Sequence, residues 1–229
     1  MRFNCLKLAL WIALLATPVY GQETFSLFDG TSMSGWSSEE DHIWRVEGGS
    51  LTGGSLDHMI EENTFLVSDN SYQNFELTLK VRLLGTEGFI NSGFQVRSMP
   101  VDGNSEMSGY QVDAGDDWWG KLYDEARRNM VIAESGDMNA IDQAVIRGGW
   151  NEYRILCEGR RIRSWINGVA ALDYVEKDLS IPQNGHIAIQ AHSGGKTKVQ
   201  VKDIKIKILN DSPNLPTWEQ TGMPVFIPE

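Results

Sequence analysis

The segment "GYQVDAGDDWWGKLYDEARRN", residues 109–129, concentrates groups that could do chemistry. It holds five carboxylates, two adjacent tryptophans, two tyrosines and two arginines. A carboxylate can act as a base, an acid or a nucleophile, and an aromatic ring beside polar groups can hold the C–H face of a sugar ring. The segment therefore favours a binding site, with a solvated hairpin as the alternative.

Three residues are the candidates for proton transfer. Asp113 comes first because it lies on the predicted strand "GYQVD", on the polar face and beside Gln111. His192 comes second because histidine titrates near neutral pH, although a lone histidine at a strand end is more often structural. Asp124 is the third candidate, at the edge that also carries Asp113.

Polar side chains with fixed hydrogen-bonding geometry occupy the outward phase of three predicted strands. These pairs are Gln95 and Arg97, Gln111 and Asp113, and Gln190 and His192. If the three strands are neighbours in one sheet, the six groups converge on one surface that could orient a polyhydroxylated ligand. The alternative is that each pair only stabilises the sheet across strands.

The tryptophan pair completes the predicted binding surface. One of Trp118 and Trp119 could lie in the core, and the other would then point the opposite way. The residues predicted to contact substrate are Gln95, Arg97, Gln111, Trp118, Trp119, Tyr123, Glu125, Arg127 and Gln190.

The elements that must position these groups alternate with period two. In "NFELTLKVRLL" Phe75 and every second residue after it are apolar and lie on one face of the predicted strand. The residues between them are mostly polar, which is typical of a half-buried strand. "SWINGVAALDY" places Asn167-Gly168 between two such runs and predicts a tight hairpin. The apolar phase of "KVQVKDIKIKIL" slips by one residue, which predicts a β-bulge near Lys202 and Asp203. The fold class is all-β, a two-sheet antiparallel jelly-roll sandwich with no substantial helices.

The chain is predicted to contain a leader, one domain and a tail. Residues 1–21 combine Arg2, Lys7 and a short apolar run, the pattern of a secretory signal peptide. Residues 22–209 form the sandwich, and residues 210–229 form an extended, proline-containing tail packed on it. The protein is thus expected in the periplasm or secreted, with no membrane span after leader cleavage and with its oligomeric state open.

Charge and cysteine content limit the partners. The formal charge is −11, and it becomes −13 once the leader with its two positive charges is removed, so nucleic acid is a poor partner. Carbohydrate is the predicted partner.

Cys157 shares the phase of Tyr153 and Ile155 and is predicted to be a buried apolar residue. The histidines fall into no metal-binding spacing, so no cofactor is predicted, and a divalent metal is left open.

Seven segments together resemble a large bacterial family. They are "FSLFDGTSMSGW", "WRVEGGSLTGG", "FELTLKVRL", "NSGFQVRS", "GYQVDAGDDWWGKLYDEARRN", "WNEYRILCEGRRIRSWINGV" and "HIAIQAHSGGKTKVQVKDIKIKIL". The chain is similar to the 3-keto-disaccharide or 3-keto-glycoside hydrolases over nearly all of residues 25–209. This resemblance implies a concanavalin A-like sandwich of the lectin and glucanase type.

The resemblance also implies a chemistry. A ketone at carbon 3 acidifies the hydrogen on carbon 2, so a base can remove it, the glycosidic oxygen can leave carbon 1 by elimination, and water can add back. Asp113 or His192 would be the base, and Asp124, Tyr123 or Glu125 the acid. Arg97, Arg127 and Gln190 would hold the enolate charge.

The sequence departs from the family at Gln111, where many members have glutamate. If that glutamate is essential, the chain binds sugar without cleaving it, or works with Asp113 instead. A non-catalytic carbohydrate-binding module is therefore the alternative to a glycoside-cleaving enzyme.

Overall fold

The computed structural model describes residues 23–223, and the predicted leader lies outside them. Fifteen strands form two antiparallel sheets. The strands are β1 (Thr24–Ser26), β2 (Trp36–Ser37), β3 (Trp44–Glu47), β4 (Ser50–Gly54), β5 (Thr64–Tyr72), β6 (Phe75–Leu84), β7 (Asn91–Pro100), β8 (Met107–Gly115), β9 (Leu122–Glu125), β10 (Met130–Ala133), β11 (Asn151–Glu158), β12 (Arg161–Ile166), β13 (Val169–Val175), β14 (Gly185–Ala191) and β15 (Lys198–Ile208).

The two sheets confirm the predicted sandwich. The first has the strand order β13-β12-β11-β6-β15-β4-β3, with β1 also paired to β15, and the second has the order β10-β9-β8-β7-β14-β5-β2. In the part of the chain that the structure describes, helical structure is limited to a 3-10 turn at Asp41–Ile43, α1 (Met138–Ala144) and α2 (Trp218–Thr221). Within residues 23–223, none of the helices has the length and apolar character needed to cross a membrane.

Local predictions on the first sheet are confirmed. Phe75 and every second residue after it on β6 are buried, because that face packs in the core between the sheets. Asn167 and Gly168 join β12 to β13 with φ of 49° and 83°, as a type I′ turn requires. Asp203 has φ of 54° where β15 slips its register against β6, and Cys157 is buried.

The predicted tail lies against one end of the sandwich as far as residue 223. Pro216 accepts a hydrogen bond from the backbone of Gln183, and the indole of Trp218 is buried. Thr217 caps α2 with a capping box, so the tail contains one helical turn where an extended segment was predicted.

Candidate functional site

The strands that carry the predicted polar pairs are neighbours in the second sheet. Ala188 on β14 pairs with Gln95 on β7, Gln95 pairs with Gln111 on β8, and Gln111 pairs with Tyr123 on β9. Because paired residues point to the same side of a sheet, these side chains share the face turned away from the core. The structure thus places the three polar strands side by side and brings together five of the six predicted groups, all except Arg97.

A cavity of about 130 Å³ opens on this outward face, and we call it the polar cavity. Its lining is Phe89, Asn91, Gln111, Asp113, Trp118, Tyr123, Glu125 and His192. Drug-sized ligands occupy pockets of about 300–1,000 Å³, so the polar cavity has room for one sugar ring at most.

A chain of amides fixes the orientation of the Asp113 carboxyl. Ser98 donates to Gln95 Oε1 (2.6 Å), Gln95 Nε2 donates to Gln111 Oε1 (2.9 Å), and Gln111 Nε2 donates to Asp113 Oδ1 (2.9 Å). Asp113 Oδ2 is buried and has no hydrogen-bond partner among residues 23–223. Burial raises the pKa of Asp113 well above its usual value. Burial therefore favours the neutral form of this carboxyl, and a proton on it would lie on Oδ2, because Oδ1 already accepts a hydrogen bond.

Gly93 makes room for this amide chain. It lies opposite Asp113 on the neighbouring strand, and a Cβ atom there would come within 2.6 Å of the Gln111 side chain. Only glycine at this position lets the Gln111 amide lie across β7 to meet both Gln95 and Asp113.

His192 is held as a neutral imidazole with one free acceptor. Its Nδ1 lies 2.8 Å from the carbonyl oxygen of Ser193, which can only accept, so Nδ1 carries the hydrogen and Nε2 is left as an acceptor. The ring packs edge-on against Phe89, with the ring centroids 4.7 Å apart. Burial lowers the pKa of His192 below 6.5, so the neutral form predominates at pH 7.

Glu125 is poised to exchange a proton near neutral pH. Burial, together with the negative charge of Glu106, raises its pKa from 4.5 to about 7. Gln190 Nε2 lies 3.5 Å from Glu125 Oε2 and partly offsets this rise. The polar cavity thus combines a carboxyl whose burial favours its neutral form, an imidazole with a lowered pKa and a carboxyl with a pKa of about 7.

The raised pKa of Glu125 predicts a pH-dependent stability. The folded chain holds this proton up to about pH 7, whereas the unfolded chain releases it near pH 4.5. Since the folded state binds more protons between these values, its stability falls as pH rises through that window, by up to about 3 kcal/mol from this group.

Between pH 4.5 and pH 8, the free energy of unfolding of the Glu125→Gln variant should therefore fall by about 3 kcal/mol less than that of the unsubstituted chain. Urea unfolding at both pH values measures this difference. Replacing the exposed Glu61 with Gln is the matched control and should leave the difference between the two pH values unchanged. Equal pH dependence in the Glu125→Gln variant and the unsubstituted chain would show that Glu125 has an ordinary pKa.

Trp118 supplies the aromatic wall of the polar cavity. It is half-buried, with ring centroids 6.4 Å from Phe89 and 6.1 Å from Tyr123, and both contacts are edge-on. Trp119 lies in the main core, is 5% exposed and donates to Asp116. The two tryptophans therefore point in opposite directions, as predicted. The prediction that Trp119 binds substrate is wrong, because its ring lies in the core.

Arg97 also does not reach the cavity. It lies at the register shift between β7 and β8, and its φ of 56° is in the left-handed region. Because of this conformation, its side chain does not point to the same side of the sheet as that of Gln95. The guanidinium is fully buried and donates to the carbonyls of Gln73 (2.6 Å) and Gly159 (2.8 Å) and to the side chains of Gln183 (2.7 Å) and Asn74 (2.9 Å). Its role is structural.

Asp124 and Arg127 form an ion pair inside the protein. On β9, Tyr123 and Glu125 face the polar cavity, so Asp124 between them faces the core. Asp124 Oδ1 lies 2.7 Å from Arg127 Nη2, and its other oxygen pairs with Arg128. The predictions that Asp124 is catalytic and that Arg127 binds substrate are therefore corrected.

Two predicted residues support the cavity without lining it, and two that line it were missed. Gln95 and Gln190 are fully buried and hydrogen-bond to Gln111 and Glu125. Asn91 lies two residues before Gly93, in the phase of Gln95, so the same alternation could have identified it. Phe89 precedes β7, and no local pattern indicates its role.

No metal centre is apparent in the part of the chain that the structure describes. Within residues 23–223, no group of three or more His, Cys, Asp or Glu side chains is placed to hold a metal ion.

The sandwich and its outward polar surface define a concanavalin A-like protein of the glycoside hydrolase or carbohydrate-binding type. The chain belongs to the family described as 3-keto-alpha-glucoside-1,2-lyase-like, whose model matches residues 23–207. No curated protein matches the chain significantly.

Solved structures of the same fold come from carbohydrate-related proteins. A candidate glycosyl hydrolase from Parabacteroides distasonis ATCC 8503 is 20% identical, with a TM-score of 0.61 over 82% of this chain and 94% of that one. The carbohydrate binding module CBM66 from Bacillus subtilis is 15% identical, with a TM-score of 0.56 over 77% and 98%. The Bacillus licheniformis β-glucanase is 10% identical, with a TM-score of 0.55 over 84% and 100%. At these identities the similarity establishes the fold alone.

Proposed function

We propose that this protein cleaves 3-keto-glycosides by elimination and hydration in the polar cavity. The observation that carries the proposal is one small cavity lined by Asp113, His192 and Glu125. Burial raises the pKa of Asp113, lowers that of His192 and raises that of Glu125 to about 7. Environments that drive titratable groups apart are typical of acid and base pairs. The family to which the chain belongs supports the choice of substrate.

Each group has a role suited to its state. His192 Nε2 removes the proton from carbon 2, because it is the free acceptor of a neutral base. Asp113 Oδ2 donates a hydrogen bond to the oxygen on carbon 3, where negative charge develops. Asp113 thus serves as a donor, whereas the sequence alone suggested a base.

Glu125 completes the cycle. In its protonated form it gives a proton to the glycosidic oxygen as the bond from that oxygen to carbon 1 breaks and the carbon 1–carbon 2 double bond forms. The Glu125 carboxylate then takes a proton from the water that adds to carbon 1, while His192 returns its proton to carbon 2. Both groups regain their starting states, and the net reaction consumes one water. Trp118 would pack against the C–H face of the ring.

We also propose that the protein acts in the periplasm or outside the cell. The support is the leader pattern of residues 1–21, which predicts export.

The proposed function is tested with a chromogenic glucoside and with the same glucoside oxidised at carbon 3. We expect release of the chromophore from the 3-keto form only, and the same release in the presence of a chelator. Release from both forms would contradict elimination chemistry, and loss of activity with the chelator would add a metal to the mechanism.

Carbohydrate binding without cleavage is the second candidate function. The Gln111 amide, which lines the cavity and is held by Gln95 and Gln190, favours it, because an amide orients hydroxyls and transfers no protons. Binding of both glucosides by calorimetry, without release of chromophore from either, would select this function.

A further inference from the structure

Asn91 is the first residue of β7 and lines the polar cavity. It is buried, with 2% of its surface exposed, and its side-chain amide makes no hydrogen bond within residues 23–223. The neighbouring amide of Gln111, by contrast, bonds to Gln95 and to Asp113 at 2.9 Å each. A buried polar group without a partner costs free energy, so the Asn91 amide is available to a ligand that enters the cavity.

The fold places Asn91 between the two groups that act on carbons 2 and 3 in the proposed reaction. β7 lies between β8 and β14 in the second sheet. On the β8 side, Asn91 pairs with Gly115, two residues after Asp113, so Asn91 and Asp113 are diagonal neighbours on one face. On the β14 side, the antiparallel register with β7 continues towards His192, which lines the same cavity. A ring held between Asp113 and His192 therefore lies over Asn91.

Gly115 makes room for the amide of Asn91. A Cβ atom at Gly115 would come within 2.8 Å of Asn91 Nδ2, so the amide nitrogen lies in space that a glycine leaves open. The donor of this amide is thus on the Asp113 side of β7. The acceptor, Oδ1, is on the same carbon and also has no partner among residues 23–223.

We propose that Asn91 recognises the hydroxyl on carbon 2 together with the ketone on carbon 3. In a 3-keto sugar these two oxygens lie side by side on adjacent carbons. The ketone can only accept a hydrogen bond, whereas the hydroxyl can donate one. Asn91 Nδ2 donates to the ketone oxygen, beside the bond from Asp113, and Asn91 Oδ1 accepts from the hydroxyl. This inference rests on the proposed function, and it makes a free hydroxyl on carbon 2 a requirement for tight binding.

The binding test uses a ligand that carries no aglycone. It is 1,5-anhydroglucitol oxidised at carbon 3, and it is compared by calorimetry with its 2-deoxy counterpart. We expect the unsubstituted chain to bind the 2-hydroxy form about tenfold more tightly, as one hydrogen bond of ordinary strength provides. The Asn91→Ala variant should bind the two forms within about twofold of each other. Because both proteins meet the same two ligands, other effects of the missing hydroxyl cancel in this comparison.

Two further variants control the binding test. Asn91→Leu keeps the volume of the side chain without its polar atoms, so it should lose the preference as Asn91→Ala does. Asn139→Ala replaces an exposed asparagine on α1 that does not line the polar cavity, and it should keep the tenfold preference. Asn91→Ala should also keep the urea midpoint of the unsubstituted chain, since it removes no hydrogen bond within residues 23–223.

Binding and cleavage together separate this inference from the proposed function. A preference for the 2-hydroxy form that depends on Asn91, without release of chromophore from the 3-keto-glucoside, would retain the role of Asn91 while the proposed function fails. Cleavage of the 3-keto-glucoside, with the same preference in the unsubstituted chain and in Asn91→Ala, would overturn the role of Asn91 alone. Absence of binding of both ligands would overturn it as well.

Discussion

Replacement of His192 by Asn should lower kcat on a 3-keto-glucoside by about 100-fold or more, with little change in KM. Asparagine can reproduce the hydrogen bond from Nδ1 to the Ser193 carbonyl, but it has no counterpart of the basic Nε2. The substitution therefore removes the base and keeps the anchor. The measurement is steady-state kinetics at pH 7, with far-UV circular dichroism to establish that the fold is intact.

The matched control is His58→Asn, since His58 is exposed and does not line the polar cavity. It should retain full activity. A His192→Asn variant with more than a tenth of the original kcat would remove His192 from the proposed role as base.

Two substitutions of Asp113 test the donor role. Asp113→Ala removes the hydrogen bond to the oxygen on carbon 3 and should cost about 100-fold or more in kcat, as loss of an oxyanion donor does. Asp113→Asn keeps an acceptor for Gln111 and places an amide donor at the position of Oδ2, so it should recover most of that loss. If both variants lose activity equally, Asp113 transfers a proton itself, as the sequence alone suggested.

Replacement of Arg97 by Met should destabilise the protein by about 4 kcal/mol. The buried guanidinium satisfies two backbone carbonyls and two side-chain oxygens. Methionine would leave three of these four acceptors without a donor, since Asn74 Oδ1 keeps its hydrogen bond from the Gly159 backbone N–H. Each unsatisfied buried group costs about 1–3 kcal/mol, and relaxation recovers part of the total.

The free energy of unfolding in urea measures this effect, with Arg147→Met as the matched control. The Arg147 side chain is 50% exposed and forms surface ion pairs with Asp116 and Asp142, so its loss should cost about 1 kcal/mol or less. A change below 1 kcal/mol for Arg97→Met would show that water or neighbouring donors can replace the guanidinium.

The positions of Gln111 and Asp113 could be predicted because their strand alternates strictly between apolar and polar residues. The same rule failed at Arg97, since a single left-handed residue moves the side chain to the other side of the sheet, and arginine gives no local signal of that conformation. It also could not choose between Asp124 and Glu125. Tyr123, Asp124 and Glu125 are all polar, so the sequence does not show which of them faces the core. Only the pairing of β9 with its partner strand shows this.

The sequence by itself determined the sandwich, the hairpin at Asn167-Gly168 and the bulge at Asp203. These features depend on local periodicity and turn conformation, which each segment carries alone. Only the tertiary structure decided the pKa shifts of Asp113, His192 and Glu125, because a pKa depends on burial and on charges brought from distant parts of the chain. Phe89 enters the cavity for the same reason: its partners Trp118 and His192 are far away in sequence and meet it only after the sheets form.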